Sequence, residues 1–429
     1  RGAPGLRAGG FDTAGVSGQT LRSGCRESRP RAFSALLPGR SGNLRREAKR
    51  KGKRVAELRE NAAGFSEAMA ALAGIKICRE PWRIYYDETE NCRYIAYRNG
   101  AIADARTVER PFILGGIAIL GEGVEDELLV RIESFAPRSG EMKARTVLGG
   151  SDDFARVLRG RGTTRFLESL DRPGIAVHYH SQDNLYYAIV DIVDSMIAVS
   201  GHEHMSVVHR KLKNALYLCA RIDSVGFLEN LAAFGFPNVF PGEVRPFCEF
   251  IENSLLDFLE TRSELLSFED SFFIEALRQM ARTSSRSESL ALLKDNPPDT
   301  LVEGFSNHYQ QVCLFFPEAF HCFDAETHVS MDIVDGDNYD FVNSKSNLFI
   351  QISDVWVGLL SRCFRFLGKW ADDRNPDVFA HNPIALENLK TIRRLIDRSA
   401  ALHPALVSSL EADCVLRKRF EAFDALCGL

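Results

Sequence analysis

Trp82–Asp87 reads WRIYYD, a short apolar run that ends in an acid. Its length and its aromatic and β-branched content are those of a strand, with the acid where the strand leaves the core. Polar turn residues follow, then Arg93–Tyr97 (RYIAY) and Pro111–Leu120 (PFILGGIAIL). Three strands in quick succession predict an antiparallel meander. Val124–Phe135 places Leu128, Leu129 and Ile132 at helical spacing, and Phe154–Leu170 reads as a second helix. Ile175–His180 (IAVHYH) alternates as a strand does, and Leu185–Val199 reads as a helix. From about 200 to 318 the periodicity is helical, with breaks near Gly235–Gly242 and Asn296–Asp299. A strand is predicted at Ala319–Phe323, a long and very apolar helix at Asn347–Gly368, and helices from there to Leu429.

This order, β-β-β-α-α-β-α, then a helical block, then β-α, is that of a ribonuclease-H-like sheet interrupted by an insertion. The expected architecture is α/β, with a mixed sheet flanked by helices. Residues 80–200 plus 319–370 form the core, 201–318 a large helical insertion, and 371–429 a helical C-terminal extension.

Residues 1–65 differ from the rest. They are rich in Gly, Arg, Ser and Pro, lack periodicity and include the basic run Arg45–Arg54 (RREAKRKGKR). The segment reads as disordered. It can be a nucleic-acid-binding tail, a targeting peptide, or upstream sequence outside the natural product. The chain has no initiating Met, and Met69 lies just before the first folded segment, which favours the last of these. Residues 1–60 hold 15 Lys/Arg and 5 Asp/Glu, so the totals of 53 and 58 leave 38 basic and 53 acidic residues in 61–429. A net charge of −15 there argues against a broad basic clamp and leaves room only for a local basic groove. No apolar run approaches the roughly 20 residues that span a bilayer. The ten cysteines are scattered, with no C-x-x-C pair and Cys313 and Cys322 the nearest two. A soluble protein of a reducing cytoplasm is the expectation.

Three motifs carry candidate chemistry. Asp87-Glu88-Thr89 puts a carboxylate at a sheet rim, where sites are commonly built, though a turn acid would look the same. In Asn347–Gly368 the residues are apolar nearly all round, so the helix is buried and an ionised Asp354 needs a partner or a cation. Gln351, Asp354 and Gly358 share one stripe of that helix, and Gly358 would admit a backbone or a substrate. Glu141-x-Lys143, between the first two helices, is by itself indistinguishable from loop charge.

YYDET, EMK and NSKSNLFIQISDVWVGLL, in that order, resemble the bacterial "domain of unknown function 3800" family. LGGIA (Leu114–Ala118) and HYHSQDNLYYAIVDIVDS (His178–Ser195) are similar to one branch of it. The resemblance covers roughly 82–200 and 319–368 and departs at Glu90, where many members have Gly. It implies a ribonuclease-H-like, metal-dependent nuclease or related phosphodiesterase. Two divalent cations, Mg²⁺ or Mn²⁺, would be held by a carboxylate cluster. Asp87 would then bridge them, Glu141 and Asp354 complete the shell, and Lys143 and Lys345 contact phosphate or restrain the carboxylates. The fourth acid is expected to be Asp324, because Phe323-Asp324 copies Tyr86-Asp87, with Asp183 as the alternative. Nucleic acid is the implied partner, DNA and RNA undistinguished.

Other signals weigh less. His178 with His180 and His202 with His204 form two H-x-H pairs, but a helical H-E-x-x-H is absent, so a zinc hydrolase is not expected. Asp191 and Asp194 read as a solvated face of their helix. No Walker A, G-x-G-x-x-G or G-x-S-x-G pattern occurs. The rival expectation is a non-catalytic recognition or scaffold module of a bacterial defence or mobile-element system.

Overall fold

The strands, in chain order, are β1 (Arg83–Thr89), β2 (Ile95–Arg98), β3 (Ala101–Ile102), β4 (Phe112–Ile119), β5 (Ile175–Gln182), β6 (Thr300–Val302), β7 (Phe320–Asp324), β8 (Tyr339–Val342) and β9 (Val407–Leu410). The helices are α1 (Arg106–Glu109), α2 (Val124–Glu133), α3 (Ala144–Val147), α4 (Phe154–Leu158), α5 (Arg161–Leu170), α6 (Asn184–Ile197), α7 (His209–Ala220) and α8 (Ser224–Ala232), followed by α9 (Val244–Arg262), α10 (Phe268–Ser284), α11 (Ser306–Phe315), α12 (Leu348–Asp373), α13 (Pro383–Leu402) and α14 (Asp413–Cys427). This computed structural model describes residues 75–428 apart from 93, 138–140, 152, 200, 327, 332–337 and 380, together with Glu67. The tail expected to be disordered lies outside the described residues.

Six strands form one mixed sheet in the order β8-β7-β1-β4-β5-β9. β4 runs antiparallel to β1 and β5, while β1 with β7, β7 with β8, and β5 with β9 are parallel pairs. All eight residues of β4 and of β5 are buried, as strands covered on both faces require. Alternation sends Tyr86, Leu114 and Ala176 into a core shared with α6 through α11. Tyr85, Ile117 and Val177 join Trp356, Leu360, Ile392 and Phe166 on the opposite face. The protein is therefore an α/β molecule with helices on both sides of a six-stranded sheet. Among the described residues no helix is long and apolar enough to cross a membrane.

Helix α12 is held tightly to the sheet. Asn347 caps it, its Oδ1 accepting from the Phe349 and Ile350 N–H groups at 3.0 and 3.3 Å. Ser353 Oγ lies 2.9 Å from the Tyr85 carbonyl oxygen in β1. A Cβ at Gly116 would come within 2.0 Å of that oxygen and 2.3 Å of Ser353 Oγ. The GG pair of PFILGGIAIL thus permits helix and strand to touch.

Several expectations are corrected. The predicted meander does not form: β1 pairs directly with β4 along its whole length, and β2 joins β3 and β6 in a separate three-stranded sheet. β2 has only four residues, two of them buried, and is too short and too polar for a central position. The single helix expected at Phe154–Leu170 is two, because Gly160 is extended and caps the second. β6, β8 and β9 were not expected; each has three or four residues, too few to show an alternating pattern. β9 interrupts the stretch 371–429 that reads as wholly helical.

Candidate functional site

Period-2 alternation places Asp87 on the same face as Tyr85, toward α12, and Glu88 on the face of Tyr86, toward α11. Tyr86 pairs with Phe323 in the parallel ladder, so Asp324 follows beside Asp87 at the carboxyl ends of two neighbouring strands. Asp354, two turns into α12, reaches the same place. Burial is the main reason that the Asp87 carboxyl is pushed up to about 8, and the nearby charges of Glu88, Asp354 and Asp324 add to it. Its Oδ1 accepts the Glu88 N–H at 2.7 Å, which offsets part of that rise.

Asp354 is also raised by burial, but less is left uncompensated. The Ala144 N–H donates to its Oδ2 at 2.7 Å, and Lys143 lies near enough to favour the ionised form. A backbone donor thus supplies part of what the apolar surroundings of α12 led us to expect from a cation. Gly358 is occupied as well. A Cβ there would sit 2.7 Å from the Ala144 Cβ, so the close approach it allows is that of the chain's own α3.

Glu141 stands at the edge of this cluster. Its Oε1 pairs with Lys143 Nζ at 2.8 Å, and that bond, followed by Ser344, Lys143 and Lys345, lowers its proton affinity. Burial pulls the Lys143 ammonium down, but the bond to Glu141 and the charges of Asp354, Glu141 and Asp87 outweigh it and hold it above its ordinary value. Gln351 ties the two lysine-bearing segments together. Its Oε1 accepts the Met142 N–H at 2.8 Å and its Nε2 donates to the Ser344 carbonyl at 2.7 Å. Asp324 Oδ1 accepts the Ser344 N–H at 3.0 Å. Asp87, Asp324, Asp354, Glu141, Lys143 and Lys345, dispersed over more than 260 positions of sequence, are therefore brought to one rim of the sheet.

Asp183, the alternative fourth acid, is elsewhere. It caps α6 by accepting the Tyr186 N–H at 2.9 Å, and the Tyr217 hydroxyl donates to its other oxygen at 2.6 Å. Asp191 and Asp194 are not a solvated face: Asp191 is buried, and Asp194 pairs at 2.9 Å with Lys213, itself buried. The helical block covers that side of α6. His178 and His180 lie inside the sheet core and are pushed down to about 3 and about 4 by burial. His202 bonds the Met196 carbonyl and the Thr283 hydroxyl.

Sequence reasoning missed Glu88 as a participant. It is raised by burial and receives bonds from Asn91 at 3.4 Å and Tyr309 at 3.3 Å. Its place beside Asp87 in a strand was the available signal, since the next residue must face the opposite layer.

The donor chemistry suits Mg²⁺ or Mn²⁺. The oxygens are hard, and carboxylates that raise one another's proton affinity would be relieved by a cation. The ligand set is not preassembled: among the described residues no three His, Cys, Asp or Glu side chains are grouped so as to hold a metal ion. Glu141 is turned to Lys143, and Asp354 to α3. No protein-family model matches the chain, and neither does any curated protein or solved structure.

Proposed function

We propose that this protein is a metal-dependent phosphodiester hydrolase of the ribonuclease-H-like kind, acting on nucleic acid. The observation that carries the reading is Asp87: a buried carboxyl at the end of the central strand, pushed up to about 8 and flanked by Asp324 and Asp354. A fold has little structural use for acids crowded at a strand end, and perturbed groups of this kind gather at functional sites. The mixed sheet with α12 against its central strands agrees with the reading, as does the resemblance to the "domain of unknown function 3800" family.

Asp87, Asp324 and Asp354 would hold the cation, with Glu141 joining when it leaves Lys143. A bound divalent cation supplies charge stabilisation at the phosphoryl group. Asp87, ionised once a cation offsets its neighbours, orients the cluster. Lys143 and Lys345 offer ammonium groups to a phosphate at the rim. The Ala144 N–H keeps one Asp354 oxygen fixed, and Gln351 sets the spacing of the two lysine segments.

The test is incubation of the protein with single- and double-stranded DNA and RNA in Mg²⁺ or Mn²⁺. Cleavage by wild type and its loss in Asp87→Asn is the expected result. Equal inertness of both proteins on every substrate overturns the reading. It would leave the non-catalytic recognition module, which the Glu141–Lys143 pair favours.

A further inference from the structure

The basic residues nearest the cluster form a run. Residues 143–165 hold Lys143, Arg145, Arg156, Arg159, Arg161 and Arg165 against Asp152 and Asp153, a net of +4 inside a body whose net charge is −15. Asp153 is already committed to capping α4, where it accepts the Ala155 and Arg156 N–H groups. All five arginines are exposed, and none has an ion-pair partner among the described residues. This differs from α13, where Arg393, Arg394 and Arg398 are neutralised by Asp397, Asp424 and Asp171.

The run is continuous with the site. Ala144 donates to Asp354 and Arg145 follows it in α3. The other end of α3 abuts α5: a Cβ at Gly162 would come within 2.1 Å of the Val147 carbonyl oxygen. Arg161 therefore stands beside α3, and Arg165, four residues on, shares its helix face. Arg156 and Arg159, three apart, share a face at the end of α4.

Resting on the hydrolase reading, we propose that α3, α4 and α5 form the surface along which a nucleic-acid backbone lies as it enters the carboxylate cluster. Unneutralised arginines in a row suit phosphates spaced along a strand. A membrane surface fits less well. Basic interfacial segments carry large apolar side chains beside their charges, and none of the exposed large apolar residues among those described falls within 143–165.

The experiment is fluorescence polarisation of the full chain with short labelled single-stranded DNA, its duplex and the matching RNA, in EDTA, over a salt series. The variant combines Arg156→Ala, Arg159→Ala, Arg161→Ala and Arg165→Ala. Four lost phosphate contacts should reduce the slope of log K against log salt by about 3. Circular dichroism and the melting temperature should stay as in wild type, because these exposed side chains have no ion-pair partner among the described residues. An unchanged slope, binding of anionic vesicles in place of nucleic acid, or no binding of any of the three by wild type at low salt overturns the proposal. The Asp87→Asn protein separates the two readings. Equal inertness of wild type and Asp87→Asn with intact salt-dependent binding sinks the hydrolase and keeps the surface; cleavage by wild type, lost in Asp87→Asn, with binding unaffected by the four substitutions does the reverse.

Discussion

Asp87→Asn should make the protein more stable while removing its response to cations. The carboxyl is pushed from 3.8 in the unfolded chain up to about 8 in the folded one. At about pH 7 the folded state keeps this proton and the unfolded state has released it. Three pH units above the unfolded value, at 1.36 kcal/mol per unit, amount to a cost of about 4 kcal/mol to the folded protein. The sign follows from linkage: with the folded value raised, the contribution is most favourable below about pH 4 and is lost as pH rises toward about 8. The asparagine amide is neutral at every pH, and its oxygen can still accept the Glu88 N–H. The variant should therefore gain up to about 4 kcal/mol at about pH 7 and only about 2 at about pH 5. Urea denaturation in EDTA at the two pH values measures this. Added Mg²⁺ should raise the midpoint of wild type by mass action and leave the variant unmoved. A variant no more stable than wild type at both pH values would refute the claim that Asp87 is held neutral against its neighbours.

Acid should act through the buried imidazoles: His178, His180 and His321 are pushed from 6.5 down to about 3, about 4 and about 4 by burial. Their stabilisation is present above the unfolded value and lost as pH falls below it, by about 2 kcal/mol each between about pH 7 and about pH 5; urea midpoints across that range check it. Gly116→Ala should abolish folding or cost more than about 4 kcal/mol, because the new methyl meets the Tyr85 carbonyl and Ser353 at once; soluble yield and thermal melting report it. Gln351→Leu strands the Met142 N–H and the Ser344 carbonyl, and should cost about 2–4 kcal/mol; a denaturation midpoint equal to wild type would contradict that. Arg419→Leu leaves Glu411 buried without its partner, an expected loss of about 3–5 kcal/mol that melting curves would show.

The parts of the fold legible in the sequence are those with long, one-sided or two-sided apolar runs. Pro111–Leu120 is apolar from end to end because β4 is covered on both faces, and Asn347–Gly368 is apolar nearly all round because α12 is wedged between sheet and helices. Neighbourhood in the sheet was not legible in the same way. Three successive strands imply a meander only if the second is long enough to compete for the edge of the first. β2 offers two buried residues against the eight of β4, so tertiary burial overrode sequence adjacency. Strands of four residues at the edges, β8 and β9, carry no periodic signal and owe their existence to the ladder beside them.

For the site, residue type and place were legible and partnership was not. Asp87 and Asp324 could be matched because both end an apolar strand, and parallel pairing of those strands makes them neighbours. Asp183 fits the same description, yet it begins α6, and a helix N-terminus consumes a carboxylate that a strand end leaves available. The apolar helix around Asp354 pointed to a missing counter-charge but not to its source. In the fold that source is shared between the Ala144 N–H and Lys143, with Glu141 drawn to the same lysine. Under the proposed reading, a divalent cation would have to compete with an ammonium group that already favours the ionised forms of Asp354, Glu141 and Asp87. The same ammonium lets acids gather at the rim of a folded sheet. Asp87, the most strongly perturbed of these acids and with no cation bonded to it among the described residues, is left to hold a proton.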